Sequence, residues 1–411
     1  MPEFLRLIPP AEALARWLEH LPRRTPPGES VPTAEALGRV TVRALHAPHA
    51  LPPFSRATVD GYAVRAADTH GASAGLPAYL ALIGEVPMGA DAGLALEPGQ
   101  AALVHTGGMI PQGADAVVML EDTQLARPDE IEVLRAVAPG RNVLRAGEDV
   151  QPGDLILESG VRLRPQELGG LMALGLTTVE VARRPRVALL SSGDEVVAPE
   201  AAPGPGQVRD VNTTTLSALV VRAGGEPAPW GIFPDRPGPL LEAARAAHAA
   251  CDLLVISAGS SASTRDLTAD VIAALGEPGV LVHGVAIRPG KPTILGVADG
   301  VAAIGLPGNP VSALIVAGLF VAPVIRRLLG LREPALTPRL PARLTANLPS
   351  QAGREDYMPV RLIAGPEGWS AQPVFGASNL IFTLVRADGL VRIPPAATGL
   401  SAGEPVDVLL F

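Results

Sequence analysis

The chain has 411 residues, of which 47% are hydrophobic, 18% charged and 3% aromatic, with a formal net charge of -8. At about 150 residues per domain this length accommodates two to four domains, and the composition is that of a folded chain. The acidic balance and the scarcity of aromatic rings argue against a polyanion-binding surface or a base-stacking platform, so no nucleic-acid partner is expected.

The first segment, MPEFLRLIPPAEALARWLEHL, places Leu14, Trp17, Leu18 and Leu21 at helical spacing and predicts an amphipathic helix. Its Glu3, Glu12, Arg16 and Glu19 do not suit a signal peptide. A Pro/Gly-rich connector and a second short helix, from Thr33 to about His46, are expected next. From Leu51 to about Val143 the runs TVDGYAV, AYLALIGEV, AALVHTGG, DAVVMLED and IEVLRAV are cut by glycine and proline, which predicts a small β-barrel or sandwich. Residues 147–182 return to mixed structure, with a Gln151-Pro152-Gly153 turn, a helix PQELGGLMALG and a strand TTVEVA. The β domain, residues 51–146, is therefore expected as an insertion in a discontinuous helical and mixed domain of residues 1–50 and 147–182.

Behind Arg183-Arg184-Pro185, strand-like VALLSS, DLLVISAG and VLVHGVAI alternate with helix-like TTLSALVVRAGG, PLLEAARAAHAA and LTADVIAALG. Near-continuously apolar strands alternating with helices predict a parallel sheet covered on both faces, a doubly wound α/β domain over residues 183–330. The pair PTILGV and VAAIGL leads into the longest uncharged run, Pro307 to Ile325, whose three prolines favour a buried helix over a membrane span. Residues 331–411 read as a C-terminal all-β domain. The single cysteine, Cys251, cannot form an internal disulfide and has apolar neighbours, the pattern of a packing residue in a reducing cytoplasm.

In an open α/β sheet ligands bind outside the carboxyl ends of the strands. Three polar, glycine-bearing loops follow apolar strands here: Ser191-Ser192-Gly193-Asp194-Glu195, Ser257-Ala258-Gly259-Ser260-Ser261 onward to Arg265-Asp266, and Leu306-Pro307-Gly308-Asn309-Pro310. Free N–H groups at helix starts bind oxyanions, and small residues let an anion approach the backbone. The stiff basic loop Arg288-Pro289-Gly290-Lys291-Pro292 would supply compensating charge. Carboxylates at Asp60, Asp115, Glu121, Asp122, Glu148, Asp149, Asp194, Glu195 and Asp266 could hold Mg²⁺, which prefers oxygen ligands; each taken singly reads as a cap or turn residue. Histidines lack metal spacing, and no GxSxG, P-loop or GxGxxG pattern occurs.

The segments FSRATVDGYAV, HTGGMIPQGADAVVMLED, RAGEDV, SSGDEVV, SAGSSASTRDLT, AIRPGKP and GLPGNPVSA stand in the order and spacing of the MoeA family, which the chain resembles along essentially its whole length. The E domain of gephyrin is similar. The resemblance implies a central MogA-like α/β domain and an elongated homodimer, with the α/β domain of one subunit facing the β domain of the other. It implies a reaction in which adenylyl-molybdopterin and molybdate give molybdenum cofactor and AMP with Mg²⁺, and as partners a MogA-type adenylyltransferase and molybdoenzyme apoproteins. Carried over by position, it implies Asp60, Glu195 and Asp266 as metal-holding or ligand-positioning groups and Lys291 with Arg288 as oxyanion binders. It adds Thr106, Asp149, Ser192, Gly193, Gly259, Ser261, Gly308, Asn309, Pro310, Ser312, Arg354 and Ser378, beside Asn379, as substrate-binding positions.

Three departures accompany it. Arg288 stands where lysine is usual. Ser55-Arg56-Ala57-Thr58 replaces an Asn-Ser-Ala-Met run. Ala258 and Ser263 replace glycines in the loop SAGSSASTRD, whose hydroxyls and arginine add anion-binding capacity. Open alternatives are a tungstate-inserting paralogue, a non-catalytic molybdopterin-binding scaffold, and adenylyl transfer to the pterin.

Overall fold

The computed structural model describes residues 7–22, 24–258, 262–332 and 338–411, with residues 262–266 described by backbone alone. Helix Pro10–Glu19 starts on a proline, where the missing N–H costs nothing, and buries Ala13 and Trp17 completely. Trp17 Nε1 donates to Gly296 O at 2.6 Å, so this helix is fastened to the α/β sheet.

The expected helix from Thr33 to His46 does not form. Thr33–Glu35 is a single 3-10 turn, Gly38 takes φ +75°, and Val40 and Thr41 make bridges to Arg162 and Val181. A glycine followed by the β-branched run Val40-Thr41-Val42 favours extended backbone over helix. Its polar groups find partners across the chain: Thr41 N donates to Val161 O at 3.0 Å, and Gly160 N to Thr41 O at 2.7 Å. Strand Gly28–Pro32 pairs antiparallel with Thr178–Ala182, lacing the N-terminal segment to the one that follows the β insertion.

Between these segments lies a six-stranded, barrel-like sheet in the order Ala116–Met119, Gly61–Val64, Gln100–Val104, Ala78–Glu85, Glu130–Val133, Thr123–Arg127. It is apolar on both faces: Tyr62 and Val64 pack with Leu80, Val118 and Ile131, whereas Ala63 packs with Val86, Val104 and Val117. Strand alternation therefore feeds two small cores.

The α/β sheet also has six strands, ordered Glu226–Phe233, Arg186–Ser192, Leu253–Ala258, Val301–Pro307, Ile294–Ala298, Pro278–His283. The first four are parallel, and Ile294–Ala298 alone runs against both its neighbours, so the edge strand Pro278–His283 shares the direction of the first four; this one reversed strand corrects the expectation of a wholly parallel sheet. The reversal is made by Asp299-Gly300, whose φ values of +48° and +85° fit a two-residue hairpin turn. Helices cover both faces. Val187 and Leu189 face the cluster containing helices Asn212–Ala223 and Pro310–Leu328, while Ala188 and Leu190 face the one containing Pro237–His248 and part of Ala262–Ala273. Helix Pro310–Leu328 is long and apolar enough to cross a bilayer, yet Ile315, Val316, Phe320, Val321, Val324 and Ile325 are buried in the protein core. Those side chains supply on the order of 10 kcal/mol of burial.

The C-terminal strands Glu355–Gly365, Gly368–Pro373, Arg339–Leu344, Pro405–Leu410 and Gly389–Ile393 form a closed ring, because the last pairs back with the first. A sixth, two-residue strand, Ile287–Arg288, comes from the α/β unit and pairs parallel with Glu355-Asp356. Helix Phe382–Val385 is a short exception to the all-β character of this region.

Replacing Trp17 by alanine should cost about 3–5 kcal/mol, since it empties a fully buried site and removes the bond to Gly296. Urea denaturation measures this; a loss under about 1 kcal/mol would mean that the N-terminal helix does not anchor the sheet.

Candidate functional site

Strands Arg186–Ser192, Leu253–Ala258 and Val301–Pro307 are adjacent and parallel, so their carboxyl ends deliver three loops to one edge. The chain leaves the first strand to one side, returning as Glu226–Phe233, and then crosses to Leu253–Ala258 on the other, which makes this edge a topological switch point. Asn212 ties two of the loops together: its Nδ2 donates to Ser257 Oγ and to Gly308 O, both at 2.8 Å. Its Oδ1 is buried without a partner among the described residues, an acceptor at the sheet edge open to a small donor such as water. Asp210 accepts bonds from the Ser191 and Thr213 hydroxyls at 2.8 and 2.6 Å. Ser192 Oγ donates to Asp235 Oδ1 at 2.6 Å.

Gly193 is buried under Glu195; a Cβ there would stand 2.9 Å from Glu195 Oε2 and 2.7 Å from Val196 Cγ2. Asp194 and Glu195 are exposed. Gly259 and Ser261 lie outside the described residues, as does the side chain of Asp266 in helix Ala262–Ala273. Asp210, Asn212 and Asp235 were not singled out from sequence. The Asp-Val-Asn stretch resembles ordinary helix-start chemistry, and only the fold shows that it reaches the neighbouring strand ends.

A cleft of about 730 Å³ opens between the α/β unit and the C-terminal barrel. Arg288, Lys291, Asn309, Ser312, Arg354 and Ser378 line it, so residues that stand far apart in sequence meet there. The loop carrying Arg288 and Lys291 is held at both ends. Val285 N donates to Lys291 O at 3.0 Å, Glu355 N to Ala286 O at 2.9 Å, and Thr293 Oγ1 to Gly290 O at 2.7 Å. Gly290 has φ +116°, and a Cβ on it would lie 2.3 Å from Val316 Cγ2, so only glycine lets the loop press on the core helix.

At the start of that helix Pro310 has no N–H and Val311 N donates to Ser378 O at 3.0 Å, which corrects the expectation that its first N–H groups are free. Asn309 Nδ2 donates to Ser378 Oγ at 3.0 Å. Asp356, absent from the sequence reading, is buried in the cleft wall. Its Oδ1 accepts from Arg354 Nε at 2.8 Å, and its Oδ2 lies 3.7 Å from Arg288 Nη1. Lys291 is exposed and has no ion pair among the described residues.

The remaining expected residues stand elsewhere in the chain. Asp60 and Thr106 are exposed on the barrel-like sheet, where Asp60 Oδ1 accepts from Thr106 N at 2.7 Å and Thr106 Oγ1 at 3.0 Å. Gly61 beside it sits between two strands, and a Cβ would collide with Val118 O at 2.0 Å. Asp149 is exposed in a turn, its N–H donating to Leu51 O at 3.0 Å. Neither Asp60 nor Glu195 lines the cleft, and among the described residues no three His, Cys, Asp or Glu side chains gather to hold a metal.

In this fold the cleft gathers the cationic side chains Arg288, Lys291 and Arg354 beside the polar Asn309, Ser312 and Ser378. Residues 8–175 match the MoeA N-terminal region (domain I and II), residues 188–327 the "Probable molybdopterin binding domain", and residues 341–411 the MoeA C-terminal region (domain IV). The molybdopterin molybdenumtransferase of Nostoc sp. is 33% identical over 379 residues, covering 91% of this chain and 86% of that one. That of Haemophilus influenzae is 32% identical over 402 residues, covering 97% and 98%. A crystal structure of the molybdopterin biosynthesis MoeA protein from Pyrococcus horikoshii is similar with a TM-score of 0.86 at 32% identity, covering 99% and 100%. The chain belongs to the MoeA family.

The main-chain N–H of Thr106, then its hydroxyl, hold the Asp60 carboxyl below its ordinary pKa, outweighing the opposing effect of desolvation. Both bonds favour the charged form, so Asp60 keeps its charge to lower pH, and any stability it contributes is lost only as pH falls through the depressed value. In Thr106→Ala, carbon-detected NMR titration should find the Asp60 pKa raised part-way toward 3.8, because the backbone donor remains. An unmoved titration would show that the hydroxyl does not act on the carboxylate.

Proposed function

We infer that this protein is a molybdopterin molybdenumtransferase of molybdenum cofactor biosynthesis. The observation that carries the reading is the cleft, where Arg288, Lys291 and Arg354 converge with the polar side chains of Asn309, Ser312 and Ser378. A tetrahedral dianion such as molybdate is stabilised by fixed cations and hydrogen-bond donors in a partly desolvated site. We assign molybdate to this cleft. Adenylyl-molybdopterin is assigned to the adjoining switch-point edge formed by Ser192, Gly193 and Gly308, close to the Gly308-Asn309 turn that joins the two. Insertion then joins molybdate to the two pterin thiols, one oxygen leaving with their protons as water, and attack of water on the phosphoanhydride releases AMP.

Mg²⁺ fits this chain only in part. Asp60 and Glu195 sit in turns beside strands of different sheets, and the described carboxylates of a single chain form no cage. Asp60 stays ionised and exposed, so it could offer one oxygen to an ion whose other ligands are phosphate and water. A homodimer in which the barrel-like sheet of one subunit faces the α/β edge of its partner would bring Asp60 and Thr106 to the substrate. On the same reading the enzyme works in the cytoplasm, receiving its pterin from a MogA-type adenylyltransferase and passing cofactor to molybdoenzyme apoproteins.

Incubation with adenylyl-molybdopterin, Mg²⁺ and molybdate should release AMP in a molybdate-dependent manner. Lys291→Ala should slow that release by roughly 10²–10³-fold, the usual effect of removing one oxyanion donor. Pterin binding without oxyanion-dependent release would favour a scaffold and overturn the transferase reading. Mixing Lys291→Ala with Asp60→Ala chains should restore about a quarter of the activity, because half of randomly paired dimers would hold one intact composite site. No restoration would contradict the shared site.

A further inference from the structure

We propose that Asp356 is a positioning residue that fixes Arg288 and Arg354 as a rigid pair and thereby sets which oxyanion the cleft prefers. The proposal rests on the oxyanion reading of the cleft and goes beyond it. On strand Glu355–Gly365 successive side chains face opposite ways. Arg354 and Asp356 line the oxyanion cleft, as do Tyr357, Met358 and Pro359 beyond them, whereas Glu355 does not line it and is held by Arg392 Nε at 2.8 Å, Arg392 Nη2 at 2.9 Å and Tyr357 Oη at 2.9 Å.

Asp356 is 4% exposed. Its two oxygens accept from Arg354 Nε at 2.8 Å and Nη2 at 3.4 Å, and its Oδ2 is also 3.7 Å from Arg288 Nη1. Arg288 and Asp356 are register partners across the parallel strand pair, so sheet hydrogen bonds rather than flexible loops set their separation. Two guanidinium groups repel one another, and Arg288 is largely exposed. Without a carboxylate between them, the more exposed arm, Arg288, would turn to water. With it, the cleft sets three cations against one carboxylate, and two of those cations are planar forks in a defined place. Donors fixed in place discriminate among tetrahedral dianions by size; mobile ones attract them all by charge.

The test is calorimetric titration of molybdate and, separately, sulfate into the full chain. The unsubstituted protein should prefer molybdate, and Asp356→Asn should reduce the ratio of the two affinities by about ten-fold. Arg288→Lys, which keeps the charge and the Asp356–Arg354 pair, should move the ratio the same way but less. Glu355→Gln, outside the cleft lining, should lower the melting temperature and leave the ratio alone. An unchanged ratio in Asp356→Asn, or equal affinities in the unsubstituted protein, overturns the role of Asp356. If Asp356→Asn does not fold, an unchanged ratio in Arg288→Lys does so. Failure of the unsubstituted chain to bind either anion overturns the oxyanion reading as well.

Discussion

The pairing of Ile287-Arg288 with Glu355-Asp356 is the constraint on which the site depends. Two residues of the α/β unit become the edge strand of the C-terminal barrel. A loop alone would leave Arg288 and Lys291 free to swing. Fixed on one side by the ladder and on the other by Gly290 against Val316, the loop has one available course. The two folding units thus share a wall, and the cleft between them inherits the rigidity of a sheet.

The same economy governs the sheet edge. Asn212 spans the ends of two strands, and Asp210 gathers two hydroxyls. These bonds hold the Ser191-Ser192 and Gly308 turns in fixed relation, and Asn309, next in the chain after Gly308, lines the cleft. Donors prearranged in this way lower the reorganisation that binding a charged ligand would otherwise require. The carboxylates of the barrel-like sheet play a different part. Asp60 and Thr106 are preorganised with each other and do not line the cleft.

Much of the fold was legible in the sequence. Apolar strands alternating with helices announced the α/β unit. The extended course of Val40-Thr41 was not legible, because its partners lie at residues 160–182 and a local reading saw only helix-forming Ala-Glu-Ala-Leu. The reversed strand Ile294–Ala298 was missed for a similar reason: apolar runs do not state their direction. In the site, Arg288, Lys291, Asn309, Ser312, Arg354 and Ser378 were recognisable as motif residues, and the structure brings them together. Asp356 was not, since one acidic residue in a strand carries no local signal until its register partner is known. Asp235 and Asn212 likewise acquire meaning only from neighbours across the sheet.

The most direct test of the account is anomalous diffraction from crystals soaked in tungstate, which has the shape and charge of molybdate and scatters strongly. The account predicts one principal peak in the cleft, within hydrogen-bonding distance of Arg354 and Lys291 and beside Ser378. A principal peak at the barrel-like sheet near Asp60, or none in the cleft, would contradict it.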